Sequence, residues 1–187
     1  MARRESRMPA LGSAVPDTAL IDGDGRRHVL VNRDRGRPLL VAFICNHCPY
    51  VVHILPSFAE RANDWQRRGV DVIAISANDL VAYPADAPQR MAALAAEFKL
   101  AFPYLHDATQ EVALAYGAVC TPDFFLYDRA GRLAYRGQYD ASRPGNGVPV
   151  TGADLDAACV AVLAGEPPAA AQAPSLGCSI KWRADWA

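Results

Sequence analysis

The spacing of apolar positions changes repeatedly along the chain, and the changes divide it into elements. Residues 38–44 contain the unbroken run Leu39-Leu40-Val41-Ala42-Phe43-Ile44, which at this length predicts a central strand buried on both faces. After it the period lengthens. Val51, Val52, Ile54, Leu55, Phe58, Ala62 and Trp65 recur near helical spacing through Arg68. Pro49 opens this helix at a first-turn position, where its missing N–H costs nothing, and Gly69 stops it. Residues 70–76 read as the next buried strand, 88–98 as a helix, 101–105 as a short strand, and 109–116 as a helix closed by Gly117. Hairpins are expected at residues 18–22 and 28–31 around Gly23-Asp24-Gly25, and at residues 124–127 and 133–139 around Arg129-Ala130-Gly131. A last helix over 152–163 has Gly165 as its cap. Strands and helices alternate, so residues 15–165 read as one α/β domain. Residues 1–14 read as a flexible extension and residues 166–174, rich in Ala and Pro, as a tether. The tether carries a tail to residue 187 that includes Gly177-Cys178-Ser179-Ile180-Lys181-Trp182.

Composition narrows the class. A chain of 187 residues, 51% of them hydrophobic, buries a full core without disulfide staples. Its formal net charge is −1 and no segment carries a basic stripe, so neither nucleic acid nor an anionic membrane is an expected partner. The acidic pair Asp22 and Asp24 and the basic run Arg33, Arg35 and Arg37 read as solvated loop charges. Residues 1–16 hold Arg3, Arg4 and Arg7 without an apolar stretch long enough for a signal core, and no stretch reaches membrane-spanning length. A cytoplasmic location is expected, in which the five cysteines rest as thiols and any disulfide is transient.

Chemistry concentrates at Cys45-Asn46-His47-Cys48-Pro49, directly after the apolar run. A strand that delivers two thiols to a helix start forms a dithiol/disulfide centre, and the partial positive charge of the helix N-terminus favours thiolate over thiol. A structural zinc site normally needs a second such pair, which the sequence lacks, although Cys45, Cys48, His47 and His53 offer a local Cys/His set. Covalent haem attachment fails, because Pro49 stands where a His is required. No cofactor is expected.

The strand into Cys-x-x-Cys-Pro, the β-α-β-α-β order and Thr121-Pro122 just before residues 124–127 together resemble the thioredoxin-like superfamily, in its redoxin (AhpC/TSA-type) branch. The resemblance covers residues 15–165. It implies a thioredoxin-like fold: a central mixed β-sheet flanked by helices, here with an N-terminal hairpin and a C-terminal tail. It also implies that the Thr121-Pro122 bond is cis and packs beside the reactive sulfur, an isomer open to X–Pro bonds because it costs only about 0.5–1 kcal/mol. In such proteins the attacking Cys usually lies five residues after the strand aromatic, and a kinking Pro eight residues further on. Phe43 and Pro56 both select Cys48. The usual resolving position is then Val51, so Cys45, upstream, becomes the candidate resolver. Against the peroxiredoxin pattern Pro-x-x-x-Thr-x-x-Cys-Pro, Cys45 replaces the Thr that holds the peroxide and Val41 replaces the Pro.

The expected activity is therefore thiol–disulfide exchange on a protein or small-molecule disulfide, with a reducing thiol partner of thioredoxin or glutathione type. A thiol peroxidase acting on peroxide and a non-catalytic copper or zinc carrier using Cys45, Cys48 and a His are the alternatives. Cys120, two residues before Pro122, either resolves a mixed disulfide or is a buried small hydrophobe. Cys178 either swings on its tether to a distant sulfur or idles in a packed tail. Cys159, at helical spacing with Leu155 and Val162, reads as core, as do Tyr116, Phe124 and Phe125. His47 lowers the Cys48 pKa as a cation, relays a proton as a neutral base, or merely faces solvent. Asp79, after the strand at 70–76, is expected to shape the groove at the sheet's C-terminal edge.

Overall fold

The computed structural model describes residues 3–30 and 36–184. In chain order the strands and helices are β1 (Arg3–Glu5), β2 (Ala19–Ile21), β3 (Arg27–Val29), β4 (Leu39–Phe43), α1 (Pro49–Arg68), β5 (Asp71–Ser76), α2 (Pro88–Glu97) and β6 (Tyr104–His106). They continue as α3 (Glu111–Tyr116), β7 (Cys120–Thr121), β8 (Asp123–Tyr127), β9 (Leu133–Gly137), α4 (Ala153–Ala164) and β10 (Leu176–Ser179). A single 3₁₀ turn, Pro84–Asp86, precedes α2. The expected end of the first hairpin at Val31, the charges Arg33 and Arg35, and residues 185–187 lie outside the described residues.

The central sheet is mixed, in the order β6-β5-β4-β8-β9, with β4 parallel to β5 and antiparallel to β8. All of β4 is buried, as the apolar run requires. Alternate residues of a strand point to opposite faces, and the core divides accordingly. Leu40, Ala42, Phe124 and Leu126 pack with Phe58 and Trp65 of α1 and with Leu155 and Cys159 of α4. Leu39, Val41, Phe43 and Phe125 pack with Val112 and Tyr116 of α3 and with Leu20 and Leu30. Burying side chains such as Phe43, Phe58, Phe124 and Phe125 stabilises by about 1.5–3 kcal/mol each, and all five cysteines are free. Thioredoxin-fold packing therefore holds the frame without covalent links.

Local signals explain the boundaries. Helix α1 begins at Pro49, passes through Pro56, and ends at Gly69, whose φ of 108° lets its own N–H reach the Gln66 carbonyl and the Val70 N–H reach the Trp65 carbonyl. The strand expected at 101–105 starts only at Tyr104: Pro103 has no N–H for the ladder, and its carbonyl accepts from Ala74 N–H at 2.9 Å. The strand expected to reach residue 139 stops at Gly137, where residue 173 crosses so closely that a Cβ would lie 2.1 Å from the Ala173 carbonyl oxygen.

The two ends of the chain depart most from expectation. Arg3–Glu5, read from sequence as part of a flexible extension, is a strand paired with β10, and the tail pairs on its other side with β7. The tether is pinned as well, since the Gln172 side chain bonds the Arg136 N–H, the Arg136 guanidinium and the Ala134 carbonyl. None of these segments shows apolar alternation. Backbone pairing places the two strands, and the Gln172 side chain places the tether.

Candidate active site

Beyond Phe43 the chain stays beside β5 for one more residue, Ile44 N–H bonding the Ile75 carbonyl at 2.9 Å, and then turns. Cys45 lies at the turn, and Cys48 is the N-cap of α1 with extended backbone (φ −70°, ψ 122°). Both sulfurs meet Thr121: Cys45 Sγ is 3.4 Å from the Thr121 hydroxyl, and Cys48 Sγ is 3.1 Å from the Thr121 carbonyl oxygen. The Thr121–Pro122 peptide bond is cis, beside Cys48 as the resemblance implies.

The tail completes the site. Strand β10 sets Cys178 opposite Thr121, whose carbonyl oxygen lies 3.1 Å from the Cys48 sulfur, so the tail thiol stands beside the reactive one. Gly177 makes this approach possible, because a Cβ there would lie 1.9 Å from the Thr121 carbonyl oxygen. Cys178 is thus fixed in a strand and does not swing on a tether. Cys120, on β7, pairs with Ser179 and lies with its sulfur 3.7 Å from the Pro122 carbonyl oxygen. Cys159 is core, as expected.

The thiols are electrostatically unequal. The Cys48 thiol is lowered to about 5, first by the hydrogen bond from the Cys45 thiol and then, against the cost of burial, by the Cys178 thiol and the Val51 and Cys178 N–H groups. The same Cys48 contact pushes the Cys45 thiol well up, helped by burial and by the negative charge of Asp86. Burial and the neighbouring Cys48 raise Cys178 to about 12. Burial and then Asp123 push Cys120 up. Of these thiols, Cys48 is the one whose surroundings favour the thiolate.

Cys48 is fully buried and Cys45 is 2% exposed. Over residues 11–136, more than half of its length, the sequence matches the AhpC/TSA family. The chain belongs to that family. Among its relatives is the thiol-disulfide oxidoreductase ResA of Geobacillus thermodenitrificans, 29% identical over 130 residues that cover 69% of this chain and 70% of the relative. Two crystal structures follow this AhpC/TSA-family chain nearly end to end. One is a hypothetical protein from Sinorhizobium meliloti 1021, 49% identical, with a TM-score of 0.92 over 96% of this chain and 98% of that one. The other is an uncharacterized conserved protein from Geobacillus kaustophilus, 46% identical, with a TM-score of 0.93 over 98% of each chain. The thioredoxin domain of a Bacteroides vulgatus thiol-disulfide oxidoreductase, 21% identical, shares the fold with a TM-score of 0.56 over 72% of this chain and 90% of that one.

In this family member His47 turns toward Asp86: its Nδ1 lies 2.9 Å from Asp86 Oδ2, and its ring stacks on Tyr83 with centroids 5.4 Å apart. Asp86 is fully buried, accepting the Asn46 N–H at 2.7 Å and the Asn78 side-chain amide at 2.8 Å. Cys45, His47 and Asp86 place one ligand-type atom each within 4.8 Å of one another. His53 is directed elsewhere, to Ser142 at 2.7 Å. The expected Asp79 lines a cavity at the C-terminal edge of the sheet together with Asn78 and His106, and it also accepts the Val81 N–H at 3.1 Å. Asp86 and Asp123 escape sequence reading. Asp86 sits in the irregular stretch before α2, and Asp123 follows Pro122 with its carboxyl pushed well up by burial beside Cys120. The only signal at Asp86 is its position two residues before the helix-opening Pro88.

Proposed function

We propose that the chain catalyses thiol–disulfide exchange, with Cys48 as the attacking thiolate and Cys45 as the resolving thiol. At the coarser level it is a thiol–disulfide oxidoreductase-like enzyme, in keeping with its family and its relatives. One observation carries the finer reading: two neighbouring thiols share one site but not one environment. Cys48 caps a helix N-terminus, and thiol and N–H donors converge on its sulfur. Cys45 faces a buried carboxylate.

In the first step the Cys48 thiolate attacks one sulfur of a substrate disulfide, the S–S bond breaks, and the leaving thiolate takes a proton from water. Cys45 then gives up its proton and attacks the Cys48 sulfur. A Cys45–Cys48 disulfide forms, and the second substrate thiolate leaves and is protonated. Two electrons pass to the substrate, and a dithiol or two monothiols of the thioredoxin or glutathione type restore the pair. His47, held by Asp86 and close to Cys45, is the residue placed to accept the Cys45 proton. A reducing compartment such as the cytoplasm suits this cycle.

The geometry of Cys178 supports a second reading, a thiol peroxidase. Peroxide would oxidise Cys48 to a sulfenic acid with release of water or alcohol, and Cys178 or Cys45 would condense with it, releasing water. Cys45 stands where peroxiredoxins place a hydroxyl for the peroxide, which favours exchange. Turnover of a model disulfide and of hydrogen peroxide with the same reductant separates the two. Exchange predicts fast disulfide reduction and slow peroxide consumption, and the opposite ranking overturns it.

A further inference from the structure

We infer that the reduced protein binds a zinc-class divalent cation through Cys45 Sγ, His47 and Asp86, at the flank of the dithiol rather than across it. The argument starts from the donors. A thiolate, an imidazole nitrogen and a carboxylate oxygen are the ligand types zinc takes, and here their atoms lie within 4.8 Å of one another, so that movements of about 1 Å bring them to the roughly 3.3–3.8 Å that separates neighbouring ligands on a tetrahedral zinc.

Their orientation is the second observation. His47 Nδ1 and Asp86 Oδ2 are 2.9 Å apart, yet both ring nitrogens, shielded from solvent, lack a well-directed hydrogen bond among the described residues. Two polar atoms that are close but not aimed along a hydrogen bond are atoms that can converge on a third. Both are also held from outside. Asp86 is fixed by the Asn46 N–H and the Asn78 amide, Asn78 by the Lys181 N–H at 2.9 Å, and the His47 ring by its stack on Tyr83. Such outer partners pre-orient ligands and tune affinity. With three protein ligands the ion keeps one position for water or an incoming group.

The site shares one atom with the redox pair, and that sets its chemistry. The Cys45 sulfur must leave the metal to resolve a mixed disulfide. Conversely, when the reduced pair passes two electrons to a disulfide R–S–S–R, a Cys45–Cys48 bond forms, the metal–sulfur bond breaks, and two R–SH and the free cation leave, two protons being consumed. Metal and disulfide are therefore mutually exclusive occupants. This exclusivity rests on the proposed exchange chemistry, whereas the site itself does not.

The test is equilibrium titration of the full-length reduced protein with Zn²⁺ against a chromophoric chelator, and with Co²⁺ for a thiolate charge-transfer band and tetrahedral d–d bands. One ion per chain is expected. Cys45→Ser, His47→Gln and Asp86→Asn should each weaken Zn²⁺ binding by about tenfold or more. Because Asp86→Asn risks the fold, the decisive control needs no mutation: wild-type protein oxidised to the Cys45–Cys48 disulfide should lose binding and the cobalt bands. No uptake by the reduced protein overturns the proposal. So does equal binding by both redox forms. A thiol-only pattern, in which Cys48→Ser and Cys178→Ser abolish binding while His47→Gln and Asp86→Asn leave it unchanged, also overturns it. Binding is read without turnover, so an inactive exchange assay with intact metal binding would count against the exchange reading alone.

Discussion

Two segments bring thiols to the Cys48 sulfur, and they arrive by opposite routes. The turn from Cys45 to Cys48 is local: wherever β4 ends and α1 begins, these sulfurs are neighbours. The tail strand β10 comes from the far end of the chain and is held by pairing with β7 on one side and β1 on the other. The local turn supplies the largest influence on the Cys48 thiolate, and the tail supplies lesser donors to a sulfur that is fully buried. Charge at the reactive sulfur is thus set mainly by adjacent sequence, with a smaller share from distant sequence.

The sharpest break in this comparison is removal of the nucleophile. Cys48→Ser should lower disulfide turnover by about 10³-fold or more. Cys45→Ser should stall as a mixed disulfide with substrate, visible by intact mass, and Cys178→Ser should still turn over. Equal inactivity of Cys178→Ser and Cys48→Ser would place the tail on the same footing as the turn.

A smaller effect is expected from prising the tail away. In Gly177→Ala the new Cβ meets the Thr121 carbonyl, so β10 must shift at a cost of about 1–3 kcal/mol. The melting temperature should fall, and alkylation of Cys48 in the folded protein should accelerate by about tenfold, since 1.4 kcal/mol of easier opening is a factor of ten. Unchanged alkylation would mean that β10 is not the barrier.

Acidity sharpens the contrast further. Alkylation of Cys48 should rise with pH around a midpoint near 5 and then level off, because the thiolate forms as pH passes that value. Removing a donor moves the midpoint up toward the ordinary cysteine value. Cys45→Ala should move it further than Cys178→Ala, in the order of their contributions. The smallest effect is a partition: with one equivalent of oxidant, peptide mapping should find mainly Cys45–Cys48, with Cys48–Cys178 as the lesser product. Cys178 competes from a fixed place and not from the end of a tether, since β10 holds it at the site.

The same division decides what sequence could reveal. The turn was legible because its chemistry and its flanking periodicities lie next to one another in the chain, and the cis bond at Thr121-Pro122 was legible from the resemblance and the hairpin after it. Strands β1 and β10 were not. Arg3–Glu5 is polar throughout, and Leu176–Ser179 has a glycine at a position where strand signals call for a side chain. Their pairing energy is in backbone hydrogen bonds, which every residue but proline can make, so composition carries little trace of it. Asp86 was hidden for a related reason: a buried acid in a 3₁₀ turn obeys no apolar period, and only its three-dimensional partners Asn46, Asn78 and His47 distinguish it from a solvated loop charge.

If β10 is the barrier that Gly177→Ala probes, it also fixes the form of the rate law. A sulfur covered by a backbone strand reacts only while that strand is open, so two clocks compete: reclosure and chemistry. At low reagent concentration the observed rate follows the open fraction and rises in proportion to reagent. At high concentration it levels off at the opening rate itself. On that plateau a small alkylator and a bulky disulfide react equally fast, and intrinsic reactivity no longer distinguishes substrates. What still separates them is the concentration at which each outpaces the return of β10.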